Sequence, residues 1–386
     1  MQLTGSTTDL RRHNRDAVLR AIRERGDVSR TEIAETIGLT NASVSRITKE
    51  LIAAGLVEEG NRIALKGQAG RRQVCLRISK DGAFVIGIAV TLNAREVVIA
   101  NGHGEIVAHR DCSDISLDRP TKALNEFASR AKVLLAQSGI EPCRVVGGAA
   151  SVAGRVDPED GRIIGADPLD WDGQQVAKKF ESLLELPFVS EGRAAALLQI
   201  EQLRGQAVDL TDVLLINIGL KLGTAYMVDG RLLRGASNDA FVLGRLSSGA
   251  GVTLDDEASG FAILRRLEDA GLPMPKRIDP GLHLRDLAEA APNSQERSIQ
   301  RAFRKSGEAL GRAIAHLAPI LSPQVVILAG FVIRQSQYVD GVKAHLGDCG
   351  LAIRTSQFTT AQSAIHLALE HHIFNQRLEI ERFRAA

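Results

Sequence analysis

Beyond residue 80 the chain runs twice through the same order of elements, and this repetition constrains its fold more than any other feature. FVIGIAV, REVVIANGHGEIV and RVVGGAASVAG have the texture of strands with Gly-rich turns, and PTKALNEFASRAKVLLAQSG is an amphipathic helix. A second set opens at DVLLINIG and AYMVDGRLLRG. A β-hairpin followed by a helix, given twice, predicts a two-lobed α/β body. A length of 386 residues suggests two or three domains.

The residues ahead of this body differ in charge. Residues 1–80 carry 15 Lys and Arg against 9 Asp and Glu; the remainder carries 33 against 37. A basic head on a mildly acidic body points to nucleic acid as a partner, with a solvated basic face as the plain alternative. NRDAVLRAIRERG sets Ala17, Val18, Ala21 and Ile22 at helical spacing and ends on Gly26. Ser29 and Glu32 have capping-box spacing, opening a helix through Ile33 and Ile37 that stops at Gly38. After LTN, Thr40 or Asn41 caps a third helix, with Val44, Ile47 and Leu51 inward. Gly55 ends that helix, and LVEE and QVCLRIS read as the strands of a wing.

Two helices joined by a tight turn, the second with a small, polar and basic outer face, form a helix-turn-helix. The alternative is a three-helix packing module that meets no DNA. The candidate contacts to double-stranded DNA are Thr40, Asn41, Ala42, Ser43, Arg46 and Lys49, with Arg46 suited to guanine or phosphate. Arg71 and Arg72 in KGQAGRRQ are further candidates for phosphate or the minor groove, or else belong to a solvated linker.

Composition removes other classes. One Trp, two Tyr and eleven Phe are too few to expect base stacking on aromatic platforms. Cys75, Cys112, Cys143 and Cys349 lie far apart, so neither a disulfide framework nor a thiolate zinc site is expected. VVILAGFVI, among the longest apolar runs, is far short of the roughly 20 residues of a membrane helix. With a polar N-terminus, the expectation is a soluble cytoplasmic protein with no membrane partner.

The head, its AGRRQ linker and the body together resemble the ROK family (repressors, open reading frames, kinases) along essentially the whole chain. The resemblance implies a multi-domain α/β protein: an N-terminal winged helix-turn-helix over residues 1–80, then a two-lobed actin-like, ribonuclease-H-like body of sugar-kinase type. Its lobes are expected over 81–190 and 191–386, with the C-terminal helix packing back on the first lobe. In that family, members with the head are transcriptional regulators, usually of carbohydrate genes, and members without it are sugar kinases.

The departures from the kinase pattern matter most. Where the family has GIDIGGTK, this chain has GIAVTLNA: Ala89 replaces the metal-orienting Asp, and Thr91-Leu92-Asn93 replaces the phosphate-wrapping Gly-Gly-Thr. Leu92 obstructs the close backbone approach that glycine permits. ENDANAAALAE becomes EGRAAALLQIE, so Gly192 replaces the sugar-binding Asn and Arg193, which accepts no proton, replaces the general base. GTGIGGG becomes GLKLGTA. In AFVLGR, Val242 and Arg245 stand for a sugar-binding Glu and a zinc-binding His, and the cysteine-rich zinc loop is missing.

The resemblance therefore implies no catalytic residues, no metal and no cofactor. It implies a regulator, a repressor by expectation, assembled as a homodimer or homotetramer. Its cleft is expected to take a sugar, sugar-phosphate or sugar-acid effector through Asp167, Asp170, Glu191, Arg193, Arg245 and Asp255. The two arginines favour an anionic effector. Against that stands a disused cleft in which Arg193 pairs with Glu191 and Arg245 with Asp255, the body then only oligomerising.

Overall fold

The computed structural model describes residues 7–63, 73–166, 168–235, 241–249, 251–272, 279–290, 297–346, 350–375, 378–380 and 383. The head begins with α1 (Thr7–Arg25), which closes at Gly26, where a φ of 70° puts the backbone in the left-handed region. A two-residue strand, β1 (Val28–Ser29), leads into α2 (Arg30–Ile37). The Ser29 hydroxyl accepts from the Glu32 N–H at 3.3 Å while the Glu32 carboxylate accepts from the Ser29 N–H at 2.8 Å. These reciprocal bonds satisfy two donors that a helix start leaves open, and the backbone bond from Ser29 holds Glu32 below the usual carboxylate range. Gly38, at φ 68°, ends α2.

Thr40 caps α3 (Asn41–Ala53), accepting from the Ser43 N–H at 3.2 Å. Val44, Ile47 and Leu51 are buried against the head's core, and Arg30 of α2 donates to the Thr48 hydroxyl at 3.1 Å. β2 (Val57–Ile63) and β3 (Gln73–Ile78) form the antiparallel wing, and β1 adds to β3.

The first lobe is built on β4 (Phe84–Val90), β5 (Arg95–Asn101) and β6 (Ile106–Asp111), an antiparallel meander. It continues through α4 (Pro120–Ser138) to β7 (Val145–Val152) and the short ribbon β8 (Arg155–Val156) and β9 (Ile163–Ile164). Then α5 (Val176–Leu184) and β10 (Phe188–Gly192) complete it. The strand order is β10-β7-β4-β5-β6, with β4, β7 and β10 parallel.

The second lobe follows from α6 (Arg193–Arg204) into β11 (Val213–Ile218), β12 (Leu222–Val228) and β13 (Arg231–Leu232). A small ribbon, β14 (Ser247–Gly249) and β15 (Val252–Thr253), precedes α7 (Leu254–Ala258) and α8 (Gly260–Asp269). After α9 (Pro280–Ala290) and α10 (Arg297–Leu321) come β16 (Val325–Ala329), α11 (Ser336–Lys343), β17 (Ala352–Thr355) and α12 (Thr360–His372). The strand order β13-β12-β11-β16-β17 repeats the first sheet: a meander of three strands, then two parallel additions on the side of its first strand. The sequence repeat therefore has a structural repeat behind it.

One helix breaks the symmetry. α12 follows the second sheet in the chain but packs on β4, β7 and β10 of the first, with Ala361, Ile365 and Ala368 buried in a core that also contains Val85, Ala89 and Ala149. The same apolar cluster continues into the head through Leu19, Ile22, Leu56 and Leu76, and into Phe374 and Leu378. Head and first lobe thus share one core. The contact between them is close: at Gly82 a side chain would run into the Gly55 carbonyl.

Candidate functional site

Two surfaces concentrate the candidate residues. The first is α3. Its N-cap Thr40 and the residues Asn41, Ala42, Arg46 and Lys49 are exposed; Ser43 is half-buried, and its hydroxyl accepts from Thr40 at 3.0 Å. The inward residues occupy the i, i+3, i+7 stripe, so the outward set follows from the helical period. The wing lies beside this helix, and its two strands are tied by Arg77 to Glu58 at 2.6 Å. Arg71 and Arg72 lie outside the described residues.

The second surface is the cleft between the lobes, a cavity of about 190 Å³. The β4–β5 turn supplies Leu92 and Asn93, the end of β10 supplies Glu191, and the first turn of α6 supplies Arg193. Lys221 enters from the β11–β12 turn, and Arg234, Arg245 and Asp255 from the second lobe. The structure therefore brings together Glu191, Arg193, Arg245 and Asp255 of the expected set. Asp170 is exposed and does not line the cleft; its neighbour Trp171 is buried and donates to the Leu117 carbonyl at 2.8 Å. Asp167 lies outside the described residues.

Neither expected ion pair forms. Glu191 is bound by Arg234 rather than Arg193, and its second oxygen accepts from the Gly192 N–H at 2.8 Å. Arg193 instead reaches across the cleft to the Asn93 side-chain oxygen at 2.9 Å. In the orientation its hydrogen bonds require, the Asn217 amide presents its oxygen to the Arg193 Nε at 3.1 Å. The reason is direction: Arg193 opens a helix whose first turn faces the β4–β5 turn, while Glu191 ends a strand and points at the loop carrying Arg234. Asp255 accepts from the Leu222 N–H at 2.8 Å and makes no salt bridge to Arg245. Burial raises the Asp255 carboxyl above the ordinary carboxylate range, opposed by that hydrogen bond and by the nearby charges of Lys221 and Arg245.

Asn93, Asn217 and Arg234 were not legible as partners beforehand. Only Asn93 lay in a segment already marked by its departure from a phosphate loop. Arg193, Asn93 and Asn217 also form the wall shared with a second, more polar cavity of about 440 Å³ that reaches the start of α12 at Thr359 and Thr360. Among the described residues no group of three or more His, Cys, Asp or Glu could hold a metal ion, and no helix is long and apolar enough to cross a membrane.

The ROK family pattern matches residues 85–349, and the MarR family pattern matches residues 17–62. The xylose repressor of Caldicellulosiruptor bescii is 25% identical over 342 residues, 84% of each chain. The N-acetylglucosamine repressor of Escherichia coli O157:H7 is 22% identical over 348 residues, 84% of this chain and 82% of its own. Among solved structures, a ROK family transcriptional regulator described as a homolog of the E. coli MLC protein superposes with a TM-score of 0.76 at 20% identity, covering 98% of this chain and 100% of that one. A ROK family glucokinase from Streptomyces griseus reaches 0.61 at 19% identity, over 74% of this chain and 98% of its own. A sheet pair of this order, entered from a helix-turn-helix head and matched over residues 85–349, places the chain in the ROK family.

Proposed function

We propose that the protein is a transcriptional regulator, acting as a repressor of carbohydrate-related genes. It binds operator DNA through α3 and the β2–β3 wing, and its interlobe cleft takes a small carbohydrate effector. One observation carries this reading: a capped helix with Asn41, Ala42, Arg46 and Lys49 exposed sits on a body of sugar-kinase frame in which Arg193, unable to accept a proton, lines the cleft. The head supplies what DNA recognition needs, and the cleft lacks what phosphoryl transfer needs. The relatives named as repressors are matched over 84% of this chain, more than the ROK pattern at residues 85–349 alone, which supports a regulator over an enzyme.

As a homodimer or homotetramer the protein presents two recognition helices to half-sites one helical turn or a multiple apart, so the operator is roughly palindromic. The test is genome-wide mapping of bound sites, followed by binding measurements on the recovered sequences. Affinity for those sites well above that for random DNA, and release on adding the sugar whose genes lie beside them, is the expected result. Equal affinity for random DNA overturns it.

A further inference from the structure

Among the described residues, one positive charge in the cleft has no counter-charge. Among the described lining residues are five cations, Arg155, Arg193, Lys221, Arg234 and Arg245, and two carboxylates, Glu191 and Asp255. Arg155 and Lys221 have partners of their own, and Arg234 takes Glu191. Arg193 is different. Its half-buried guanidinium lies between the lobes and bonds two amide oxygens, those of Asn93 and Asn217. Amide oxygens fix the direction of the fork but leave its charge in place, and a partly desolvated charge without a counter-charge is costly. Burial pulls Arg193 down to about 10, with no carboxylate of the described residues acting against it.

A second feature of the same wall has the same sign. α6 starts at Gly192, which offers no side-chain cap, and Arg193, Ala194 and Ala195 of its first turn line the cleft. A 12-residue helix without a side-chain cap turns the positive end of its dipole toward the cleft that its first turn lines. Gly219 leaves room for the guanidinium, since a side chain there would come within 2.7 Å of Arg193 Nη2. The cavity, at about 190 Å³, is smaller than the roughly 300–1,000 Å³ of drug-sized sites and matches a single sugar unit.

We propose that the effector is an anionic monosaccharide derivative, a sugar acid or sugar phosphate, whose charged group lies against Arg193 and the first turn of α6. Glu191 and Asp255, on the other walls, accept from its hydroxyls. Arginine's planar fork meets a carboxylate or phosphate with two parallel hydrogen bonds, which a neutral hydroxyl cannot match. This inference rests on the reading that the cleft binds an effector at all.

Calorimetric titration of the full-length protein tests it, with D-xylose against D-xylonate, and D-glucose against D-glucuronate and D-glucose 6-phosphate. An anionic probe should bind at least tenfold more tightly than its neutral parent, and its affinity should fall as salt rises. Arg193→Gln should remove at least tenfold of that affinity while still unfolding cooperatively on heating. The salt dependence of the unmodified protein serves as a second readout if the variant does not fold. Glucuronate against glucose 6-phosphate separates carboxylate from phosphate. A neutral sugar binding as tightly as its charged counterpart, with no salt dependence, overturns the anionic proposal and leaves the effector reading standing. No binding by any probe, in protein that still binds its operator, overturns the effector reading itself.

Discussion

At the scale of single residues, charge placement separates the two surfaces. Arg46 stands exposed on the outer face of α3, where a long fork can reach a base edge or a phosphate. Arg46→Ala should lower affinity for a mapped operator by about 1–3 kcal/mol if the side chain reads a base, measured by fluorescence anisotropy. The loss should be smaller on random DNA. His366, on α12, is the opposite case. It is 4% exposed, and burial holds its imidazole at about 4, with Arg204, Arg23 and His371 adding to the depression and Glu370, 3.9 Å away, opposing it. The unfolded chain takes up a proton near the ordinary value of 6.5 that the folded chain refuses until about 4. The stability attached to neutral His366 is therefore complete above pH 6.5 and is lost as pH falls toward 4, on the order of 3 kcal/mol in all. Urea unfolding of His366→Leu across this range should show a flatter pH dependence than the unmodified protein.

Two elements carry the architecture beyond its sheets. α3 depends on Thr40, whose hydroxyl satisfies an otherwise open donor at the start of the helix. Thr40→Ala should destabilise the head by about 0.5–2 kcal/mol, read as faster amide exchange in α3 and weaker operator binding. α12 is the other element, about 20 Å long by its 13 residues. Its start borders the larger cavity, and its end carries Glu370, which takes Arg23 and, at 3.4 Å, Arg20 of α1. Arg23 also lies over the Phe374 ring at 4.1 Å, and Arg15 donates to the Leu378 carbonyl. These contacts are partly buried, so screening by water is reduced. Glu370→Gln should weaken the attachment of α1 by about 1–3 kcal/mol. Limited proteolysis should then cut near residue 26 sooner, while the lobes stay intact; unchanged cutting would show that the apolar core alone holds the head.

At the scale of the whole molecule, a body that shares the fold of ROK kinases is joined to a helix-turn-helix head through one continuous core. Leu92 and Arg193 line the cleft, and the family resemblance sets Leu92 where a kinase keeps open backbone for phosphate and Arg193 where it keeps its proton acceptor. A coupled assay with ATP and D-glucose or D-xylose should therefore detect no phosphorylation. Turnover that disappears on substituting a cleft residue would contradict this.

The head and the lobes were legible in the sequence because local rules decide them. Ser29 with Glu32, Gly38 and Thr40 fix the helix ends through bonds made within a few residues, and the period of Val44, Ile47 and Leu51 fixes which face of α3 is free. The doubled hairpin-and-helix order likewise foretold two sheets of one topology. Pairing across the cleft was not legible. Arg193 meets Asn93 from 100 residues away, and Glu191 meets Arg234 from 43, so their partners depend on how the lobes close over one another. A side chain's type is local, but its counterion is whatever the tertiary fold places within about 3 Å, and only the folded chain decided that Arg193 would face amides and Glu191 an arginine.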